Sequence, residues 1–190
     1  TIDIKKKIDI SKYDEVEEAH SYSESGVPNE IDILGEEATH VIKGKVTEVN
    51  YVFLAGDART AYNVLVEESY KGDLQKNDLI TVYKDGGYIP LRTMIELNGD
   101  AFRYEGVSQE AIDSTIVHEV VDGEEEPYIG EEGVFYLLHN YSSFLPEGAF
   151  ERVNGIGSQL EAESKNIFIQ TDEEREEKEV TLKEIKESVE

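Results

Sequence analysis

The sequence predicts an all-β fold, either a small barrel or a compact sandwich. Short β-branched runs recur between Gly- and Asp-rich turn signals, and helical periodicity is confined to segments near the two ends. The first long run also changes phase part-way: Ile42 and Val46 share one parity, while Val49, Tyr51 and Phe53 share the other. Such a change is what a β-bulge produces, and it lets one strand bend to serve both halves of a barrel.

The elements follow in order. Residues 1–28 alternate in charge, have few large apolar residues after Ile10 and read as a flexible surface tail. From Asn29 to Thr39, Ile31, Leu34 and Ala38 fall at helical spacing behind an Asn29 able to cap them. His40 to Phe53 is the first strand, bent near Thr47 and Glu48, and Leu54 to Arg59 is a loop turned at Gly56. Thr60 to Tyr70 alternates strictly, with Tyr62, Val64 and Val66 inward and Asn63, Glu67 and Ser69 toward water. Asp78 to Tyr83 is the third strand, with Ile80 and Val82 inward, and it ends at Asp85-Gly86-Gly87. Ile116 to Val121 and Val134 to His139 read as strands four and five, and Asn166 to Gln170 as a short sixth. The interval from Gly86 to Thr115 is too long for a plain hairpin and reads as an insertion between strands three and four, with Met94, Ile95 and Leu97 or Ala111 and Ile112 on short helices or an extra hairpin. Residues 171–190 form a charged connector, Asp172 to Glu179, and a helix whose Thr181 and Glu184 make a capping box.

Three runs carry a family resemblance: Ala38-Thr39-His40-Val41-Ile42-Lys43-Gly44-Lys45-Val46, Tyr62 to Asp73 with its Lys71-Gly72, and Gly130-Glu131-Glu132-Gly133-Val134-Phe135-Tyr136-Leu137-Leu138. Together with Leu79 to Val82 they resemble secreted bacterial proteins whose OB-type barrel is similar to the tissue inhibitors of metalloproteinases. The resemblance covers about residues 30–170 and implies an OB-like five-stranded barrel domain over 29–170, flanked by the N-terminal and C-terminal helices. It further implies an extracellular or cell-surface protein of Gram-positive type, with lipid anchoring through a segment preceding Thr1. The inhibitors chelate protease zinc through an N-terminal cysteine. This chain has no cysteine, so that mechanism does not transfer.

Composition narrows the chemistry. With 43 acidic against 18 basic residues the formal charge is −25, and a nucleic acid, which is bound by Lys and Arg displacing counterions, is not expected as a partner. The absence of cysteine excludes disulfides, iron–sulfur clusters, thiolate zinc sites and cysteine nucleophiles. No cofactor is implied. Gly155-Ile156-Gly157-Ser158 lacks the third glycine and the basic residue of a nucleotide loop and reads as a turn.

OB barrels commonly bind on the face of strands two and three, together with the loops joining strands one to two and four to five. Here those loops are Leu54 to Arg59 and Asp122 to Gly133, and the candidate ligand-binding residues are Arg59, Tyr70, Tyr83 and Tyr88. Arg92 and Arg103 are the other arginines before Arg152 and can contribute to a local anion site. Glu105 to Glu151 contains no Lys or Arg, and a cation would fall at Asp122, Glu124, Glu125 and Glu126, although the Asp-x-Asp-x-Asp-Gly calcium loop is absent. His20, His40, His118 and His139 have no zinc spacing, although His118 and His139 are expected on adjacent strands. The functional expectation is a non-catalytic binding or structural module for a protein or a glycan. The alternative is an extracellular hydrolase using paired carboxylates.

Overall fold

A computed structural model describes residues 7–23 and 28–190. After a 3-10 turn at Ile10–Lys12 come β1 (Glu15–Ser21), α1 (Ile31–Glu37), β2 (His40–Leu54), β3 (Asp57–Lys71), β4 (Leu79–Asp85) and β5 (Gly87–Pro90). Next are α2 (Leu91–Asn98), α3 (Gln109–Asp113), β6 (Thr115–Val121), β7 (Glu132–His139) and β8 (Phe150–Arg152). A 3-10 turn at Gly155–Ser158 leads to β9 (Gln159–Ala162), β10 (Ile167–Thr171), β11 (Glu177–Thr181) and α4 (Leu182–Glu187).

The fold is mostly β, and five of its strands close on themselves. β7 pairs with β2, β2 with β3, β3 with β4, β4 with β8 in parallel, and β8 returns to β7. Ile42, Val46, Tyr62, Val64, Val66, Ile80, Val82, Phe135, Leu137 and Phe150, all from these strands, form the buried interior of the ring. The inward alternation expected of β3 and β4 is observed. So is the bend in β2: Val46 pairs with Val64 and Glu48 with Asn63, leaving Thr47 as the extra residue.

Two further cores lie outside the ring. One packs α1, α4 and the β9–β10–β11 extension against the outer side of β2 and β7, through Leu34, Val41, Tyr136, Phe168 and Ile185. Here the Thr181–Glu184 capping box forms as expected, with Ile185 fully buried beneath it. The other joins Phe53 and Ala58, at the tip of the β2–β3 hairpin, to Ile89, Leu91, Ile112 and Val117 of the insertion.

Several expectations are corrected. Ile116 to Val121 is not a ring strand: β6 pairs with β5 and β1 in a separate three-stranded sheet, so the insertion includes it and extends to β7. The ring's fourth and fifth strands are β7 and β8, and β8 is only three residues long, too short to leave an alternating pattern. Within the expected tail, Glu15–Ser21 is a strand parallel to β6. Every one of its residues is exposed, so no apolar pattern marks it, and the rest of that expectation falls partly on residues outside the described ones. The expected connector, Asp172 to Glu179, runs into β11 (Glu177–Thr181), whose single buried residue, Val180, lies just past it. The loop from Leu54 to Arg59 is a tight hairpin turn, with Ala55 and Gly56 both left-handed (φ 53° and 87°). Asn29 does not cap α1, since Glu30 occupies that position, and its side chain instead bonds Glu173 and Asn154. Among the described residues no helix is long and apolar enough to cross a membrane.

Candidate functional site

Ring strands place their alternate residues inside the barrel, and near its end the inward row turns from apolar to charged. On β4 the row Ile80, Val82 continues into Lys84; on β8 Phe150 continues into Arg152; on β3 it runs from Val64 through Tyr62 to Thr60. The Lys84 and Arg152 side chains are only 3% and 5% exposed. An unpaired cation at such depth would be prohibitively costly, so an anion must reach it.

The turn after β6 supplies that anion. Asp122 and Gly123 both adopt left-handed backbone (φ 55° and 66°), which reverses the chain and sends Glu124 back over the barrel end. Arg152 donates Nη1 to Glu124 Oε1 at 2.5 Å and Nη2 to Oε2 at 2.8 Å, and Lys84 Nζ lies 3.6 Å from Oε2. Burial by itself would raise the Glu124 carboxyl, but the charges of Arg152 and then Lys84 outweigh it and lower its pKa to about 2. Glu126 lies 3.8 Å from Lys84 and 3.0 Å from His118 Nε2, and it accepts a 2.9 Å hydrogen bond from Thr60. Asp122, itself buried, accepts hydrogen bonds from the Ser23 amide (2.8 Å) and the Ser23 hydroxyl.

Above this floor opens a pocket of about 350 Å³ between the ends of β3 and β4, the Asp122 turn and the loop 140–149. Arg59 forms one wall. Its guanidinium bonds Asp85 and the Leu54 carbonyl, and its Cζ sits 4.6 Å from the centre of the Phe144 ring. Tyr83 lies beside it, half-buried, and burial pushes its hydroxyl pKa up. On the other side Ser142 donates its amide (3.0 Å) and hydroxyl (2.8 Å) to Glu151, which ties the Phe144 loop to β8. The pocket is therefore open and polar, with an aromatic rim, and it carries three cations against the carboxylates of Asp85, Asp122, Glu124 and Glu151.

A second, smaller cleft of about 190 Å³ adjoins it on the side of β9, with Glu125, Glu131, Glu161 and Tyr128 among its lining residues. Gln159 accepts from the buried Tyr62 hydroxyl at 2.6 Å and donates to Glu131 at 2.6 Å. Burial, then the charge of Glu161, raises the Glu131 pKa to about 7, more than the Gln159 hydrogen bond can offset.

Of the residues singled out in the sequence, Arg59, Tyr83, Asp122 and Glu124 share the larger pocket. Glu124 also reaches the smaller cleft, which it shares with Glu125 and Glu126. The four loop carboxylates do not gather as an ion cage: Glu124 and Glu126 are turned inward onto cations, Asp122 onto Ser23, and Glu125 is exposed. Among the described residues no group of three or more His, Asp or Glu side chains is arranged to hold a metal ion. Tyr88, itself in the insertion, stacks on His118 at 4.3 Å and meets Tyr51 of β2 edge-on. Tyr70 packs into the outer core, beneath Lys186 and beside Glu68. Arg92 bonds Asp113 and Gln109, and Arg103 lies by Asp100, so the three early arginines are dispersed. His118 and His139 are on different sheets: His139 stacks on Phe150 and approaches His40, which is bound to Asp73.

Sequence reasoning missed Lys84, Arg152, Glu131 and Phe144. A signal existed for Lys84, which continues the inward parity of Ile80 and Val82. No family model matches this chain, and no curated protein matches it.

Proposed function

We propose that this chain is a non-catalytic binding module on an OB-type barrel, and that its pocket takes a neutral saccharide unit. The ring order β2-β3-β4-β8-β7, with β4 parallel to β8 and a bulge in β2, supports the OB-type reading. The resemblance to inhibitor-like secreted bacterial proteins supports an extracellular or surface-attached setting. One observation carries the functional reading. The ionic groups beneath the pocket neutralise one another, Glu124 and Glu126 against Arg152 and Lys84, while the rim offers Tyr83 and Phe144 beside hydroxyl, amide and carboxylate groups. A carboxyl lowered to about 2 is a poor proton donor near neutrality, so Glu124 is a structural anion and not a general acid. Aromatic faces with paired polar groups suit sugar rings and their hydroxyls.

The test is a titration of isotope-labelled protein with neutral disaccharides, followed by amide shifts. Millimolar or tighter binding is expected, with shifts confined to the Asp122 turn, Tyr83 and loop 140–149, and with loss in Tyr83→Ala. Absence of saturable shifts at these positions for every sugar overturns the reading.

The cleft at Glu131 favours a second reading, a hydrolase. It places a carboxyl of raised pKa beside Glu161, the kind of pair that acid–base cleavage uses. Turnover of a glycoside by the intact chain, lost in Glu131→Gln with the fold retained, would replace the binding reading with this one.

A further inference from the structure

β1 lies at the end of the three-stranded sheet, with β6 on one side and no strand among the described residues on the other. Its hydrogen bonding identifies which groups are free. The Glu15 amide bonds the Ser114 carbonyl at 3.2 Å, and the Ser21 carbonyl accepts from the Asp122 amide at 2.9 Å. In a parallel ladder a residue that bonds its neighbour does so with both backbone groups, and the next residue turns both away. The odd-numbered residues of β1 therefore face β6, and Val16, Glu18 and His20 present their N–H and C=O groups outward. All seven residues of β1 are exposed, and at about 3.3 Å per residue they offer an edge of roughly 23 Å.

An edge of this length is a template for another strand, and natural proteins guard such edges with charge. The guard here has one sign: Glu15 and Glu17 lie on one face of β1 and Glu18 on the other, directly after Asp14. Against a second copy, carboxylates would meet carboxylates, Glu18 opposite Glu18 or Glu15 opposite Glu17 according to the register, in chains of net charge −25, which opposes self-pairing. Lys or Arg at alternate positions of an added strand all fall on one face, where they are complementary to Glu15 and Glu17. Val16, 59% exposed, adds an apolar contact on the outward row.

We propose that β1 is a docking edge for an extended, Lys- or Arg-rich segment of another protein, which adds to the sheet as a fourth strand. Backbone pairing through Val16, Glu18 and His20 supplies affinity, and the carboxylates select the basic partner and exclude a second copy. This surface is separate from the barrel-end pocket, so the outcome for one does not decide the other.

The experiment uses the intact chain and a fluorescein-labelled octapeptide alternating Lys and Thr, read by anisotropy. Saturable binding is expected. The same peptide N-methylated at alternate amides keeps its charge but cannot pair, and it should bind about tenfold more weakly or worse. Glu18→Pro removes an outward N–H without touching the β6 ladder and should weaken the unmodified peptide similarly. Equal binding of the methylated and unmodified peptides would reduce the effect to charge attraction and overturn the proposal. So would absence of binding, or a dimer in sedimentation that Glu18→Pro abolishes.

Discussion

Gly44 of β2 lies directly opposite Gly133 of β7, in the ladder that joins these two ring strands. Neither glycine is there for an unusual φ. A Cβ on Gly133 would come within 2.2 Å of the Leu160 carbonyl oxygen on β9, and one on Gly44 within 2.5 Å of a Val64 methyl and 2.9 Å of the Leu65 carbonyl. The two strands are held close to their outer neighbours by having no side chain at this point. Gly133→Ala forces backbone apart and should cost about 2–4 kcal/mol, while Gly44→Ala, which meets a side-chain methyl first, should cost less. Urea unfolding midpoints of the two variants test the order.

Arg152 and Glu124 make the second prediction. Removing one member strands the other in a place where water cannot compensate it, so Arg152→Met should destabilise by about 3–5 kcal/mol. Arg152→Met combined with Glu124→Leu should recover much of that loss, because neither member of the pair is then left stranded, and Lys84 retains Glu126 at 3.8 Å. A double variant as unstable as the sum of its singles would contradict this account, and thermal unfolding of all three variants measures it.

The same pair explains what the sequence disclosed and what it withheld. Local patterns disclosed the inward rows of β3 and β4, the bulge at Thr47 and the capping box of α4, because each is written in neighbouring residues. The site was half legible. Arg59, Tyr83, Asp122 and Glu124 stood out by type and loop position, but Arg152 sits in a three-residue strand, and its partner precedes it by 28 residues. Only the ring's closure brings them together, and no local period encodes a closure between β7 and β8. β1 was illegible for a related reason: strands are read from burial on one face, and this one buries neither.

Glu131 should make stability fall as pH rises. Its folded pKa, about 7, lies above the ordinary 4.5, so the native state holds the proton longer than the unfolded chain does. The stabilising contribution is complete below about pH 4.5 and is lost as pH rises through about 7. Glu131→Gln keeps a neutral side chain throughout. It should flatten this part of the profile and add no more than about 2 kcal/mol of stability near pH 8, after allowance for the solvent that reaches the cleft, seen as a higher melting temperature. Melting curves of the two proteins at pH 5 and pH 8 decide it: an unchanged difference between the two pH values would show that Glu131 is not the group responsible.

Calcium should do little to this protein, despite its charge. A cation that binds the native chain in preference to the unfolded one stabilises it by RT ln(1 + [L]/Kd), about 2.7 kcal/mol at a hundredfold excess, which appears as a rise of several degrees. That gain needs several carboxylate oxygens converging on one centre with their charge uncompensated. In the 122–126 turn the opposite holds. Asp122 is engaged by Ser23, Glu124 by Arg152 and Lys84, and Glu126 by Lys84, His118 and Thr60, while Glu125 is exposed. Drawing Glu124 onto an ion would leave Arg152 buried without its partner, a cost comparable to the gain. Millimolar Ca²⁺ and Mg²⁺ should therefore produce the same small shift in melting temperature, attributable to screening of a chain of net charge −25. A saturable shift selective for Ca²⁺, and abolished by Glu124→Gln with Glu126→Gln, would mean that these ion pairs open in solution and that the turn is a cation site after all.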